Sequence, residues 1–492
     1  MILYAGMSDR SGLDIFLQES VMMNMFQRES SARQRRQIPM RPALLIIALS
    51  ACVASSSAQV RNEYLNIIPA DGDEGDFFGT RSALYSHFAL FSAPSDDDLG
   101  SDSGSVYLYD LSIDAPNGAM IRKIHAPDGA AADNFGGSIF MDSAMVGVGS
   151  NASTIVGPLA GSVYLFNRVS GTLYAKLNPL DAQPHDLFGS SIAKEGGTVV
   201  VGAHGDDDNG NGSGSAYLFD VEQAFPSQTH KLLAMDGQAL DLFGQSVDIN
   251  GGIVVVGAPN DDHPPFENGG SVYLFSASTG QQLRKIVPAD NEAFDHFGSA
   301  VAIDNGIVAV CAPGDDDNGS LSGSVYLFDA STGAQLHKLV AQDSGVNKLF
   351  GSSVAIQDNK VVIGSSLNDD NGSSSGSAYI FQASSGIQLS KLLPSNGAAF
   401  EQFGHSVAIF DDTILVGAWE DTVNGQLSGS AYAFDIYCQA DINGDGSLNF
   451  LDVSAFLAAF GSQNPIADFN GDSSFNFLDV SAFLAAYAAG CP

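Results

Sequence analysis

Basic residues are scarce in this chain: 20 Lys and Arg stand against 56 Asp and Glu, a formal net charge of −36. Such a surface repels the phosphates of nucleic acids and of anionic lipid head groups, which excludes nucleic-acid and other polyanion binding. The same excess suits divalent cations and equally suits plain solubility, and charge alone does not choose between them. Cysteine is scarce too, with four residues at 52, 311, 438 and 491, so a disulfide-dense scaffold is excluded. No stretch reaches transmembrane length, and the nine His include neither a His-Glu-x-x-His motif nor a cluster of metal spacing. What abounds is glycine, at 54 residues, with 31 Phe and 14 Tyr. Tight turns between short aromatic and β-branched runs make an all-β composition.

Residues 40–58, from Met40 to Ala58, have a basic start, a short apolar run and a small-residue end, as a secretory signal requires. The 39 residues before Met40, with Arg33, Arg35 and Arg36, read either as an extended basic n-region or as an upstream start that translation does not use; Met40 is the favoured start. Cleavage after Ala58 competes with a second reading, because Leu49-Ser50-Ala51-Cys52 resembles the lipobox of bacterial lipoproteins. Soluble secretion is preferred to lipidation of Cys52, and either places the mature chain outside the cytosol, in the medium or on the cell surface. The expected organisation is a signal region over residues 1–58, a repeat domain over 59–436 and a terminal module over 437–492.

A Phe-Gly pair recurs at Phe78, Phe135, Phe188, Phe243, Phe297, Phe350 and Phe403, at spacings of 53 to 57 residues. Seven units of this period point to a seven-bladed β-propeller, in which each blade is a four-stranded sheet that buries its faces only against its neighbours. The fifth unit shows the pattern: Ser299 to Ile303, an Asn305-Gly306 hairpin turn, the apolar run Ile307 to Ala312, an acidic loop, Gly323 to Phe328, a turn, and Gln335 to Val340. A fourth-strand pattern precedes every Phe-Gly, including Tyr64 to Ile68 before the first, but none follows the last third strand, Ser430 to Phe434. Tyr64 to Ile68 is therefore expected to complete the last blade and close the ring. Phe is expected to fill the wedge between blades, and Gly to permit a bend that a Cβ would hinder.

These pairs, followed by Val255-Val256-Gly257-Ala258-Pro259 and its variants, resemble the FG-GAP repeats of integrin-like propellers over residues 61–436. The resemblance implies a ligand-binding or adhesive ring. It does not carry the family's calcium sites, which lie between the Phe-Gly and the Gly-Ala-Pro, because only short turns such as Asn250-Gly251-Gly252 stand there.

Acids cluster elsewhere, between the second and third strands: Asp96-Asp97-Asp98, Asp206-Asp207-Asp208 and Asp315-Asp316-Asp317, with shorter versions at Asp261-Asp262, Asp369-Asp370 and Glu420-Asp421. Adjacent carboxylates would welcome calcium, yet Asp and Asn are also ordinary turn residues, and both readings stay open.

The strongest local motif lies near the end. Asp441, Asn443, Asp445, Ser447, Asn449 and Asp452 occupy loop positions 1, 3, 5, 7, 9 and 12, with Gly446 at the sharp turn, the spacing by which an EF-hand wraps Ca²⁺. A second copy runs through Asp468, Asn470, Asp472, Ser474, Asn476 and Asp479, with Ser473 in place of the glycine. Each loop leads into a near-identical helix, from Leu451 to Phe460 and from Leu478 to Tyr487. The duplicated unit, with Asp at position 12, resembles the dockerin modules of cellulosome-type assemblies over residues 438–492. That resemblance implies a small α-helical calcium module whose partner is a cohesin-like or envelope protein. Its recognition residues do not carry over to Ser454, Phe456, Ser481 and Phe483. Cys438 and Cys491 bracket the module and are expected to pair in an oxidising compartment. Cys311 falls in an apolar strand and reads as an inert thiol.

For catalysis, His185, His296 and His405 flank Phe-Gly pairs and read as loop residues, and Gly372 to Gly376 matches Gly-x-Ser-x-Gly outside any strand-turn-helix elbow. The expected function is a non-catalytic, secreted or surface-held binding or adhesion protein, taking a protein or glycan on the ring. The alternative is an enzyme of extracellular polysaccharide breakdown in a cellulosome-like complex.

Overall fold

The computed structural model describes residues 59–61, 63–112, 118–154, 157–436, 440–443, 448–469 and 474–489. The export segment with Cys52, the cysteines Cys438 and Cys491, and the loop residues Asp445, Ser447, Asn470 and Asp472 lie outside the described residues, and so does the expected disulfide.

Seven antiparallel sheets follow one another along the chain, and their first strands surround a common channel. Blades are numbered here by their Phe-Gly pairs. Blade 4 is typical, with strands Ser246–Asn250, Ile253–Ala258, Ser271–Ser276 and Gln282–Ile286 running from the axis outward. Its two middle strands, IVVVGA and SVYLFS, are almost wholly buried because both faces of the sheet meet another blade. The outer strand, QLRKI, is half exposed and correspondingly polar. The hydrophobic core is accordingly divided into seven clusters, one at each interface between neighbouring blades.

The Phe-Gly pair explains how the blades lock. Phe243 is buried and lies edge-on to Tyr273 and Phe275 of its own blade, at centroid distances of 5.4 and 5.8 Å, while packing on Ala216, Leu218 and Leu232 of blade 3. The other six Phe repeat this wedge. Gly244 has φ +90°, and a Cβ there would lie 2.2 Å from the Ser215 carbonyl oxygen of blade 3. Both the left-handed backbone and the close approach demand glycine.

Ring closure follows the expected scheme. Strand Leu65–Ile67 pairs antiparallel with Ser430–Asp435, in the register Leu65↔Ala433, Asn66↔Tyr432 and Ile67↔Ala431. One element was not legible in the sequence. Gln59–Arg61 adds a fifth, parallel strand to blade 6 against Gln388–Leu392. Glu63 then accepts hydrogen bonds from the Ser395 backbone N–H and hydroxyl at 2.9 and 2.5 Å, so the N-terminal segment fastens onto blades 6 and 7 in turn.

After the ring come two short helices, α1 (Phe450–Gly461) and α2 (Phe477–Ala489). Asn449 caps α1 in a capping box with Asp452. Phe456 and Phe483, equivalent residues of the duplicated unit, stack face to face at 4.0 Å and are buried. They are core, which the sequence pattern alone did not separate from surface.

Candidate functional site

The acidic loops hold an arrangement the sequence reading missed. In blade 3, Asp206 is buried, accepts a hydrogen bond from the Tyr217 hydroxyl at 2.8 Å, and lies 2.8 Å from the Lys231 ammonium. Lys231 also reaches Asp208 at 2.6 Å and Asp181 at 2.8 Å. Asp181 belongs to the crossover from blade 2, so a single ammonium ties the crossover, the acidic loop and the outer strand together. Blades 1 and 5 repeat the knot with Lys123 on Asp71, Asp96 and Asp98, and with Lys338 on Asp290, Asp315 and Asp317. Blade 4 uses Lys285 on Asp236 and Asp261. In blade 6, Asn368 replaces the first loop acid, and Lys391 pairs with Asp343 and Asp370 instead. Blade 2 lacks the acidic loop and keeps Lys176 on Asp128 at 2.8 Å.

Two of these carboxylate groups, Asp181 with Asp206 and Asp208, and Asp96 with Asp98 and His125, converge closely enough to hold a metal ion. In both, the lysine ammonium already occupies the centre. Burial raises the Asp206 carboxyl, but the Lys231 ammonium and Tyr217 hydroxyl outweigh it and leave it below the usual carboxylate range. Burial likewise opposes the charge on Lys231, and its carboxylate partners more than reverse that, so its pKa is raised. A lysine held so firmly protonated is neither a base nor a nucleophile. These knots are structural staples. The signal was present, since Lys123, Lys176, Lys231, Lys285, Lys338 and Lys391 recur at the Phe-Gly period in a chain of few basic residues.

A second set of acids sits two residues before the Phe of six of the seven pairs, with Lys348 in that place in blade 6. Asp76, Asp186, Asp241 and Asp295 are buried, and each accepts a backbone N–H from three residues earlier, at 2.6 to 2.7 Å. Burial raises them, the N–H opposes it, the neighbouring loop aspartate adds to it, and all four stand at about 6. A carboxyl raised above its unfolded value of about 4 contributes stability that is complete below that value and lost as pH rises through the folded value. The lysine-held Asp96 and Asp206 do the reverse, losing theirs as pH falls below about 4. The ring is therefore expected to be most stable in mild acid, with a higher urea midpoint at about pH 5 than at about pH 8. Asp241→Asn, which keeps the acceptor, is expected to gain about 1 kcal/mol at the higher pH and little at the lower, and equal midpoints for wild type at both would refute it.

The channel mouth encloses about 280 Å³ and is lined by the first strands of all seven blades. Around it, Ser138, Ser191, Ser246, Ser353 and Ser406 each donate a hydroxyl to the Phe-Gly glycine carbonyl of the next blade at 2.7 to 2.8 Å. In blade 1, Arg81 takes this place and donates Nε to the Gly137 carbonyl at 3.1 Å. Of the three histidines read as loop residues, His405 instead lies within the first strand of blade 7, Phe403–Phe410, where it lines the channel and stacks on Trp419 at 4.6 Å; burial and Arg81 lower it to about 3, leaving it neutral. His185 and His296 hold positive φ in crossover loops. Ser374, the central serine of the Gly-x-Ser-x-Gly match, sits in a loop turn at φ +51° with its N–H donated to the Asp369 carboxylate at 3.0 Å, and the next residue, Ser375, is buried and braces the loop through the Asn368 carbonyl at 3.2 Å. Cys311 is buried as a free thiol, its pKa raised by that burial.

Crossover loops and acidic loops share one face of the ring. There Leu240, Phe294 and Phe400, each three residues before a Phe-Gly pair, are 61%, 52% and 62% exposed and hold φ of +72°, +67° and +70°. Each N–H is bonded across to an acidic-loop carbonyl, at 2.8 to 2.9 Å. The face thus presents apolar side chains on a backbone that is strained yet fully tied down.

In the tail, Asp452 and Asp479 are fully buried at the starts of the two helices. Asp452 accepts N–H bonds from Asn443 and Asn449 at 3.3 and 2.8 Å, and Asp479 from Phe469 and Asn476 at 2.9 and 2.8 Å. Asp441, Asn443, Asn449, Asp468, Ser474 and Asn476 are the other described candidates. Buried carboxylates among all-oxygen donors fit a hard cation such as Ca²⁺.

A closed seven-bladed ring with an apolar, loop-built face and no strand left unpaired at the seam defines a repeat propeller of the binding class. The FG-GAP repeat family model matches residues 62–109, 120–166, 172–219, 226–275, 281–328, 334–381 and 387–434, and the chain belongs to that family. Each matched repeat runs from an outer strand to the next third strand, one strand out of phase with the blades, which is why the first repeat supplies the outer strand of blade 7. No curated protein matches the chain. No helix among the described residues is long and apolar enough to cross a membrane.

Proposed function

We propose that this is a non-catalytic, extracellular or surface-held binding protein whose ring takes a protein or glycan on the loop face and whose tail attaches it, with calcium, to a cohesin-like or envelope partner. The observation that carries the reading is the trio Leu240, Phe294 and Phe400, exposed at equivalent places and held rigidly, as a preorganised contact surface requires. Glycan and matrix-protein arrays with the full chain test it: ligand retained by wild type is expected to be lost in Leu240→Ser/Phe294→Ser/Phe400→Ser, and retention by the triple variant would refute it. Reproducible product release from a polysaccharide would instead decide for an enzyme.

The tail supports attachment. Its two helices expose matching apolar residues, Phe450, Leu451 and Leu457 on α1 and Phe477, Leu478 and Leu484 on α2, a duplicated face suited to a partner. Chelation is expected to unfold residues 438–492 when Cys438 and Cys491 are reduced while the ring stays folded. Calorimetry without any calcium-dependent tail transition would sink that reading.

A further inference from the structure

Blade 7 is the one place where the lysine staple is missing. In the other six blades a lysine of the outer strand stands directly opposite the buried tyrosine of the third, as Lys231 does to Tyr217 and Lys338 to Tyr326. In blade 7 the outer strand comes from the N-terminus, and the residue opposite Tyr432 is Asn66. The acids remain. Asp421 is 1% exposed and accepts bonds from Ser430 Oγ at 2.5 Å, Tyr432 Oη at 3.2 Å and the Val423 N–H at 3.1 Å. Glu401, in the place of Asp186 and Asp241, is 5% exposed. Burial and then the Asp421 charge raise its carboxyl, against one backbone N–H, to about 7. No described lysine, arginine or histidine forms an ion pair with either carboxylate.

Two further facts point to an occupant. Glu401 Oε2 and Asn66 Oδ1 are both buried with no hydrogen-bond partner. Buried acceptors are almost always satisfied, and a buried carboxylate without a counter-charge is costly. The fold itself shows what belongs here, since the equivalent position in blades 1, 3, 4 and 5 holds an ammonium 2.6 to 2.8 Å from the buried loop aspartate. Calcium keeps oxygens at about 2.3–2.6 Å, accepts an irregular set completed by water, and would balance two carboxylates with its two charges.

We propose that blade 7 binds a calcium ion in place of the lysine, with Asp421, Glu401 and Asn66 as its protein ligands. The site lies between the second and third strands, away from the hairpin where the family resemblance would put calcium, and it is separate from the tail loops. Because Asn66 comes from the closing strand and the two acids from the far end of the ring, the ion fastens the seam.

The test is hydrogen exchange on the full chain with and without calcium chloride, read at residues 65–67 and 430–435. Calcium is expected to slow exchange there at least tenfold in wild type. Asn66→Lys, which restores the staple, is expected to slow it without calcium and to abolish the response. Glu401→Gln, which keeps the side-chain size and guards against misfolding of the lysine variant, is expected to weaken calcium binding at the seam at least tenfold while tail peptides respond as before. An unchanged wild-type seam, an equal calcium response in Asn66→Lys, or an equal response to sodium would overturn the proposal. A tail that fails to respond bears only on the attachment reading.

Discussion

A chain lacking residues 40–68 is expected to lose most of its ring stability, with a urea midpoint far below that of the full chain or no cooperative transition at all. Among the described residues, the lost segment contains the one outer strand of blade 7. Without Leu65–Ile67, the strand Ser430–Asp435 becomes an open edge, its ladder groups face water, and the Ile67 side chain, wholly buried, leaves the blade 7 to blade 1 cluster. Burying Ile67 contributes roughly 2 kcal/mol and the half-buried Leu65 about half that, and lost strand pairing adds to this, against a typical net stability of only about 5–15 kcal/mol. The parallel strand Gln59–Arg61 and the Glu63 bonds to Ser395 go with it. Size-exclusion chromatography is expected to show self-association through the bared edge, and a truncated monomer of unchanged midpoint would refute the closure.

Lys231→Ala is expected to destabilise the ring by about 3–5 kcal/mol, the range for removing one partner from a buried ion pair. Asp206, 3% exposed, would keep its charge beside Asp181 and Asp208 with nothing to balance it. Asp206→Asn in the same background should recover part of the loss, so urea melts of the two single variants and the double variant measure the coupling. Calcium is expected to stabilise Lys231→Ala more than wild type, because the three carboxylates left behind converge within 4.8 Å. A loss below about 1 kcal/mol would mean that the knot behaves as a surface ion pair.

The repeat was open to reading because it is written in local terms. Phe and Gly at a fixed period, and strands such as IVVVGA that have no polar face, identify blades buried on both sides without any knowledge of their neighbours. Closure was also readable, by counting strand patterns and finding the first without a home. The lysine staples were not read, although their period stands in the sequence, because Asp181, Asp206 and Lys231 are separated by 25 and 50 residues and meet only when a crossover, a loop and a strand fold together. The acidic runs left cation and turn chemistry equally open until that meeting was seen. In the tail, the two helices near Leu451 and Leu478 were legible from the duplicated pattern, whereas the burial of Phe456 and Phe483 followed from their mutual stacking.

Local periodicity and strand counting thus determined by themselves that the chain forms seven blades, that residues 64–68 complete the last of them, and that short turns such as Asn250-Gly251-Gly252 join first to second strands. Only the tertiary structure decided what the loop acids pair with: a lysine meets them in blades 1, 3, 4, 5 and 6, Lys176 meets the crossover Asp128 in blade 2, and Asn66 stands in the lysine's place in the seventh. The physical reason is that hydrophobic patterning is set by each residue's own burial, but a buried charge is compatible with folding only through a partner that distant parts of the chain bring within about 3 Å.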